Sequence, residues 1–534
     1  MAELPSTTPR AAAPPDAAVP RATRAAAAAP ALRRYADLPG PRGLPWLGSA
    51  LEVEPARFHL QMEDWCRAYG PLFRLRLGAR RLLVVGDHEA VAAILRDRPD
   101  GFLRTSRLEQ IWTEMGLPPG VFGANGDAWR RQRRMVMAGF DPAHVKRYFP
   151  SLLAVARRLA GRWSEAADRG RTIELQADLM RYTVDTIAGL AFGAEVNTLE
   201  SDGDVIQQHL DKIFPKLFKR ILSPLPLWRV WRSPSDRALE ASLAEVRAAV
   251  ERFIAEARAR MRDDPTLREH PANLLEAMIA AADLDGSGID DAQVAGNVLT
   301  MLLAGEDTTA NTLAWMIHLL WRHPAALVRA TEEVRRCIAD PAAATLEQLA
   351  QLDFVEACAH ETMRLKPVAP QLPLQAARDV TIGDVQVPAG TIVVSLLRRD
   401  SVDDAHLPRA ASFEPERWLD GGAAGAPGRA AASAKRLSMP FGAGPRICPG
   451  RYLALLEMKM AMAVLLGGFD IVSVDTPDGR EPQERLSFTM APVGLTMRLR
   501  RRAGGPAAGA DQARADGREN SIAPSASRPQ RKNS

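Results

Sequence analysis

Cysteine is scarce in this chain. Four occur in 534 residues, Cys66, Cys337, Cys358 and Cys448, widely spaced and without a CxxC pair. That excludes a disulfide scaffold or a paired-cysteine zinc cluster and fits a reducing compartment. Long apolar runs are missing too. The Ala-rich stretch "RAAAAAPALRRY" from Arg24 is broken by Pro30 and falls far short of the roughly 20 residues a membrane-spanning helix needs. There are no internal repeats. Nor is there a basic body: of the formal net charge of +5, Arg498 to the C-terminus carries +6 and residues 1–38 carry +2, which leaves −3 for residues 39–497. A nucleic-acid-binding body is therefore not expected.

What is present is an ordinary globular composition, 46% hydrophobic and 25% charged. The length allows two to four cores, or one large fold with subdomains. Residues 1–37 read as a disordered Ala/Pro/Arg-rich leader of bacterial type. An Arg-rich, Ala-rich start also suits a mitochondrial transit peptide. Here Pro5, Pro9, Pro14, Pro15 and Pro20 would break its amphipathic helix, and Glu3 and Asp16 add acid. The stiff connector "LPGPRGLPWLGS" (38–49) opens a folded part predicted over 38–500, and 501–534 reads as a disordered basic tail.

Within the folded part, "LFRLRL" and "RLLVV" flank Gly78 as a strand hairpin, and apolar residues recur at three and four from "DHEAVAAIL" onward. The longest helical pattern runs from Asp290 to Arg322, capped by Ser287 or Asp290 and stopped by Pro324. It is apolar nearly all round its centre, so it is expected to run through the interior. A second helix, "DFVEACAHETMRL", ends before Pro367. The segment "RDVTIGDVQVPAGTIVVSLLR" alternates and turns at Gly383 and Gly390, which predicts short β-hairpins. The fold class is mainly α with a smaller β-rich subdomain.

The chemistry concentrates at "PFGAGPRICPGRYLALLEMK" (440–459). A lone cysteine is most often a small buried hydrophobe. Around Cys448, however, Gly442 and Gly444 allow close backbone approach, and Pro449 and Gly450 open a helix. Unpaired N–H groups and the positive helix end are expected to hold the sulfur as thiolate, a metal-ligand state. With no second Cys or His nearby, a metal needing one protein ligand fits, and haem iron is such a metal. Arg446 could pair with a haem propionate.

Here the sequence resembles the cytochrome P-450 family. "FGAGPRICPG" fills its haem-binding signature with Phe441, Gly442, Gly444, Arg446, Cys448 and Gly450, and Ala454 and Glu457 suit the helix that follows. The resemblance covers about residues 38–500 and implies haem b held between a long distal helix and the proximal Cys loop and helix. "HETMRL" places Glu361 and Arg364 three apart among apolar residues, so the pair is expected to be buried; Arg417 of "FEPERW" resembles the third member of a structural Glu–Arg–Arg cluster. In "AGEDTT" (304–309) a Thr308 hydroxyl can bond back to the Ala304 carbonyl and bend the helix. The resemblance assigns room for dioxygen to Ala304 and Gly305, proton delivery to Asp307 and Thr308, and the variable slot to Glu306. Trp129 and Arg133 of "GDAWRRQRR" share a helix face and match the family's propionate-holding pair. One departure stands out: Leu374 occupies a position where many members place another propionate-binding Arg.

The implied function is a haem-thiolate monooxygenase that inserts one oxygen atom from O2 into an apolar substrate such as a fatty acid, terpenoid, steroid or polyketide-like molecule. The thiolate would push electron density onto iron and favour O–O cleavage. Electrons would come from NAD(P)H through an external acidic ferredoxin or flavodoxin-type flavoprotein, docking on Arg130, Arg131, Arg134, Lys435, Arg436 and Arg451; the chain ends too soon after the haem region for a fused reductase. Apolar residues in loops, Ile111, Trp112, Met115, Val368, Leu372, Phe488 and Met490, are either pocket lining or ordinary core. A cytoplasmic monomer is expected. A haem-thiolate isomerase or dehydratase, or a non-catalytic haem sensor, are the alternatives, and the intact Asp307–Thr308 pair argues against both.

Overall fold

The computed structural model describes residues 32–502 apart from 141, 194–195, 202–204, 224 and 420–433. Helices carry most of it: α1 Phe58–Tyr69, α2 His88–Arg96, α3 Ser106–Glu114, α4 Gly126–Gly139, α5 Pro142–Asp168, α6 Leu175–Phe192, α7 Val205–Leu222, α8 Pro234–Asp263, α9 Leu274–Ala282, α10 Asp291–Arg322, α11 Pro324–Cys337, α12 Leu346–Ala350, α13 Asp353–Leu365 and α14 Arg451–Gly468. The expected mainly α architecture with a smaller β portion is what the chain adopts.

The long helix follows from its sequence. Asp290 accepts from the Gln293 N–H and Gln293 reaches back to the Asp290 N–H, a reciprocal cap. Beyond it Val294, Val298, Leu302, Leu313, Ile317 and Leu320 are buried, as are Met301, Ala310 and Trp315 on other faces. A helix apolar on every side has to be central, and α10 packs most extensively on α6. Pro324 ends α10 as expected and also sits at the first turn of α11, where its missing N–H costs nothing. No described helix is long and apolar enough to cross a membrane.

The β portion is built from β1 Arg33–Arg34, β2 Leu72–Leu77, β3 Arg80–Val85, β4 Phe102–Leu103, β5 Ile173–Glu174, β6 Gln371–Ala376, β7 Val380–Ile382, β8 Val385–Val387, β9 Ile392–Leu396, β10 Phe469–Asp475, β11 Glu484–Leu486, β12 Met490–Pro492 and β13 Thr496–Arg501. The hairpin around Gly78 forms as expected, β2 against β3. It belongs to a five-stranded sheet in the order β2-β3-β9-β6-β4. The Gly383 turn makes the β7–β8 hairpin, but the turn at Gly390 does not make a second one. Its outgoing strand β9 pairs with β3 in parallel and with β6 in antiparallel register. Alternation shows a half-buried strand but not its partner.

Residues 33–37, assigned by sequence to the leader, are part of the fold. β1 pairs with β8, Arg33 holds Asp384 with two 2.7 Å bonds, and Tyr35 donates to the Leu82 carbonyl at 3.2 Å. The expectations for 1–31 and 503–534 lie outside the described residues.

α13 is tied down by the expected cluster. The five N–H groups of Arg364 are all used: two bonds of 2.8 and 2.7 Å to Glu361, and three to the carbonyls of Ser401, Ala410 and Ser412. Arg417 Nε lies 3.4 Å from Glu361, and Trp418 Nε1 donates to Glu361 at 2.9 Å. The cluster clamps α13 to the segment 401–418.

Candidate active site

Two glycines bring the cysteine loop into place. Gly444 has φ +69°, and a Cβ on it would stand 2.6 Å from the Leu95 carbonyl oxygen, so the loop lies directly on the end of α2. Gly442 turns the chain at φ +73°. The loop then closes on itself, the Cys448 N–H donating to the Phe441 carbonyl at 2.9 Å, and Gly450 leads into α14.

The electrostatics of Cys448 differ from the sequence expectation. The Gly450 N–H, Arg133 and Arg451 all favour the thiolate, but burial outweighs them and pushes the thiol up from its ordinary value. The helix end is therefore not sufficient by itself. A cation bonded to the sulfur would have to supply the remaining stabilisation. Cys66, packed in the core, is pushed up to about 12 by burial and behaves as a hydrophobe.

Basic side chains gather beside the loop. Trp129 and Arg133 do share a face of α4. Arg133 Nη2 donates to the Ile447 carbonyl at 2.8 Å, and the Arg446 guanidinium carbon lies 5.0 Å from the centre of the Trp129 ring. Arg446 Nη2 also donates to the carbonyls of Val121, at 3.0 Å, and Ala124, at 2.8 Å. Two further arginines, which the sequence gave no reason to single out, complete the group. Arg98 and Arg104 lie in the loops on either side of the two-residue strand β4, where no periodicity marks them. Arg104 is held by the Phe122 carbonyl at 2.9 Å and lies over the Phe122 ring.

Among the described residues no carboxylate pairs with Arg98, Arg104, Arg133 or Arg446. Arg98 Nε and Nη2 and Arg446 Nη1 are buried without a hydrogen-bond partner. Burial and mutual repulsion push Arg446 down to about 9 and Arg104 well below the ordinary guanidinium range, and burial alone pushes Arg98 down to about 10. Buried cations with free donors call for an anion. Leu374, where another Arg was anticipated, is fully buried in the apolar layer under β6.

On α10 the burial pattern breaks in one place. Leu302 and Leu303 before it and Thr309 and Ala310 after it are buried, yet Ala304 is exposed and Gly305, Asp307 and Thr308 are half-buried. The Thr308 hydroxyl donates back to the Ala304 carbonyl at 2.7 Å, as its position suggested. The room that Gly305 leaves is on the other side. A Cβ there would meet Ile187 Cγ1 of α6 at 2.4 Å, so Gly305 serves helix packing. Asp307 Oδ2 accepts from the Thr489 hydroxyl at 2.9 Å; burial raises the Asp307 carboxyl and this bond opposes the rise.

Haem, the group the sequence implies, fits these residues. A buried sulfur that needs a bonded cation to lose its proton, orphaned guanidinium donors suited to two carboxylates and an opening in an otherwise buried helix are what such a group needs. The apolar candidates divide. Ile111 and Met490 are completely buried, Trp112 and Met115 nearly so, whereas Val368, Leu372 and Phe488 are half-buried. Phe488 stacks on Phe214 with centroids 4.5 Å apart and meets Phe122 edge-on at 5.9 Å. Of the surface cations, Arg134, Lys435, Arg436 and Arg451 are exposed, while Arg130 pairs with Asp100 and Asp127.

Comparison with known proteins identifies the family and the fold. The Cytochrome P-450 family model matches residues 38–498. Cyclooctat-9-en-7-ol 5-monooxygenase of Streptomyces melanosporofaciens is 28% identical, over 83% of this chain and 91% of its own length. Pentalenene oxygenase of Streptomyces avermitilis is also 28% identical, over 87% and 97%. A self-sufficient monooxygenase of Phanerodontia chrysosporium is 29% identical over 88% of this chain, which spans 43% of that relative's length. In structure, the haem domain of cytochrome P-450DA superposes with a TM-score of 0.74 and 25% identity, covering 89% of this chain and 99% of that one.

Proposed function

Because the chain belongs to the cytochrome P-450 family and is an oxidoreductase of its monooxygenase class, we propose that it holds haem b through Cys448 and oxygenates an apolar organic substrate. Bound haem supplies reductive activation of dioxygen at its iron. Cys448 Sγ would be the single protein ligand, held in register by the bond from its N–H to the Phe441 carbonyl. Arg446 and Arg133, with Trp129 beside them, and the newly identified Arg98 and Arg104 would take the two carboxylates.

On the distal side Ala304 leaves the open space, and Gly305 lets α10 approach α6 closely enough to fix it. Burial raises the Asp307 carboxyl above its ordinary range, which suits it to pass a proton, and Thr308, anchored on the Ala304 carbonyl, offers its oxygen lone pairs to the same space. Proton delivery by this pair favours oxygenation over isomerisation or gas sensing. Phe122, Phe214 and Phe488 make an aromatic wall suited to an apolar molecule. The relatives named for pentalenene and cyclooctat-9-en-7-ol make terpenoids the first class to screen, ahead of fatty acids, steroids and polyketide-like compounds. Electrons would come from NAD(P)H through an acidic ferredoxin or flavodoxin-type donor drawn to Arg134, Lys435, Arg436 and Arg451.

The observation that carries this reading is the set of buried, anion-free guanidinium groups beside Cys448. It is tested by the reduced carbon-monoxide spectrum, which the thiolate ligand shifts and which Cys448→Ser abolishes. NADPH consumption coupled to product, with a surrogate ferredoxin and its reductase, then tests oxygenation. A Cys448→Ser protein with an unaltered spectrum overturns the assignment.

A further inference from the structure

Asp307 is held from outside its own helix. Its partner, Thr489, lies 182 positions away in sequence, in the turn that joins β11 to β12, and donates to Oδ2 at 2.9 Å. That turn is tight, the Ser487 N–H donating to the Thr489 carbonyl at 2.9 Å. Between them Phe488 is held at φ +97°, a backbone conformation that a side-chain-bearing residue rarely adopts. Such a conformation persists only where the surroundings impose it. Here the imposing contacts are the Phe488 ring stacked on Phe214 of α7, nearly parallel at 8°, and edge-on to Phe122. On the far side the Met490 N–H donates to the Val368 carbonyl at 2.8 Å. The aromatic clamp and the β12 bond thus bracket Thr489, whose hydroxyl reaches the acid.

We propose that Thr489 is the positioning residue for Asp307, and that the clamped Phe488 turn sets where its hydroxyl stands. The inference rests on the functional reading above and adds to it a residue from another element. By donating to Oδ2, Thr489 fixes one carboxyl oxygen and leaves Oδ1 to carry the proton. When Oδ1 gives its proton to a neighbouring water, the charge left on the carboxylate remains hydrogen-bonded at Oδ2, and the acid is reloaded by a proton from solvent. Phe214 and Phe122 act one step further out, through Phe488.

The test is an infrared-monitored pH titration of the holoprotein, with the Asp307 carboxyl band identified by its loss in Asp307→Asn. Thr489→Val removes the donor at nearly constant shape. A hydrogen bond to the charged form lowers an acid's pKa, so its loss is expected to raise the Asp307 midpoint by about one pH unit. Thr489→Ser restores the wild-type midpoint, and Phe214→Ala, which loosens the clamp, moves it in the same direction by less. Thr489→Ala serves where the valine variant does not fold. An unchanged midpoint in the donor-less variant overturns the proposal. So does a serine variant that shifts as far as valine, since packing and not the hydroxyl would then be responsible. The reduced carbon-monoxide spectrum is taken for each protein. Its absence in the wild type sinks the haem reading, whereas a normal spectrum with an immobile midpoint sinks the role of Thr489 alone.

Discussion

The Arg446 guanidinium lies 5.0 Å from the Trp129 ring centre, joining the cysteine loop to α4 across 317 positions of chain. The contact puts a cation on an aromatic face while one of its donors, Nη1, is left free and buried. This is a group prepared for an anion.

Arg446→Gln keeps hydrogen-bonding capacity and removes the charge. A charge-assisted bond contributes about 1.5–3 kcal/mol, so haem should be lost roughly 10- to 100-fold faster. Transfer of haem to an excess of apomyoglobin measures this, and an unchanged rate would show that Arg98, Arg104 and Arg133 suffice without it.

Arg364 sits at the other extreme, buried with all its donors used on Glu361 and three carbonyls. Arg364→Ala leaves the Glu361 carboxylate buried opposite a lost partner and is expected to cost about 3–5 kcal/mol. Arg364→Lys should not rescue it, because an ammonium has three donors where the site uses five. Urea denaturation of each protein provides the check.

Glu457 of α14 is fully buried, and burial pushes its carboxyl up to about 8 against the opposing bond from Thr309. The native state therefore keeps a proton that the unfolded chain releases near 4.5. Its contribution to stability is whole below that value and lost progressively as pH rises towards 8. Glu457→Gln should flatten this decline and be the more stable protein at pH 8–9, by an amount on the order of a few kcal/mol. Parallel stability curves for the two proteins across pH 5–9 would refute it.

Gly305→Ala tests helix packing. The added Cβ would meet Ile187 Cγ1 at 2.4 Å and Cδ1 at 2.5 Å. Overpacking of this kind costs about 1–3 kcal/mol. Adding Ile187→Ala to it should recover part of the loss, a positive coupling in a double-mutant cycle. Additive losses would place the clash elsewhere.

Much of this is legible in the sequence. The cap at Asp290, the helix Asp353–Leu365, the Glu361–Arg364 pair and the loop around Cys448 are local: their partners lie within a few residues, so spacing alone reveals them. The β9 pairing, Arg98 and Arg104, and the bond from Thr489 to Asp307 were not legible. Loops carry no period, and a strand's alternation does not name its neighbour.

The chain's own order of residues determined that a sulfur would stand at the start of a helix, that a long apolar helix would be central and that an acid and an alcohol would interrupt it. The folded arrangement decided the charges. Burial overrides the helix end at Cys448, strips Arg98, Arg104 and Arg446 of water and keeps Asp307 and Glu457 protonated above their ordinary range. Desolvation depends on everything packed around a group, most of it distant in sequence, and so it belongs to the tertiary structure alone.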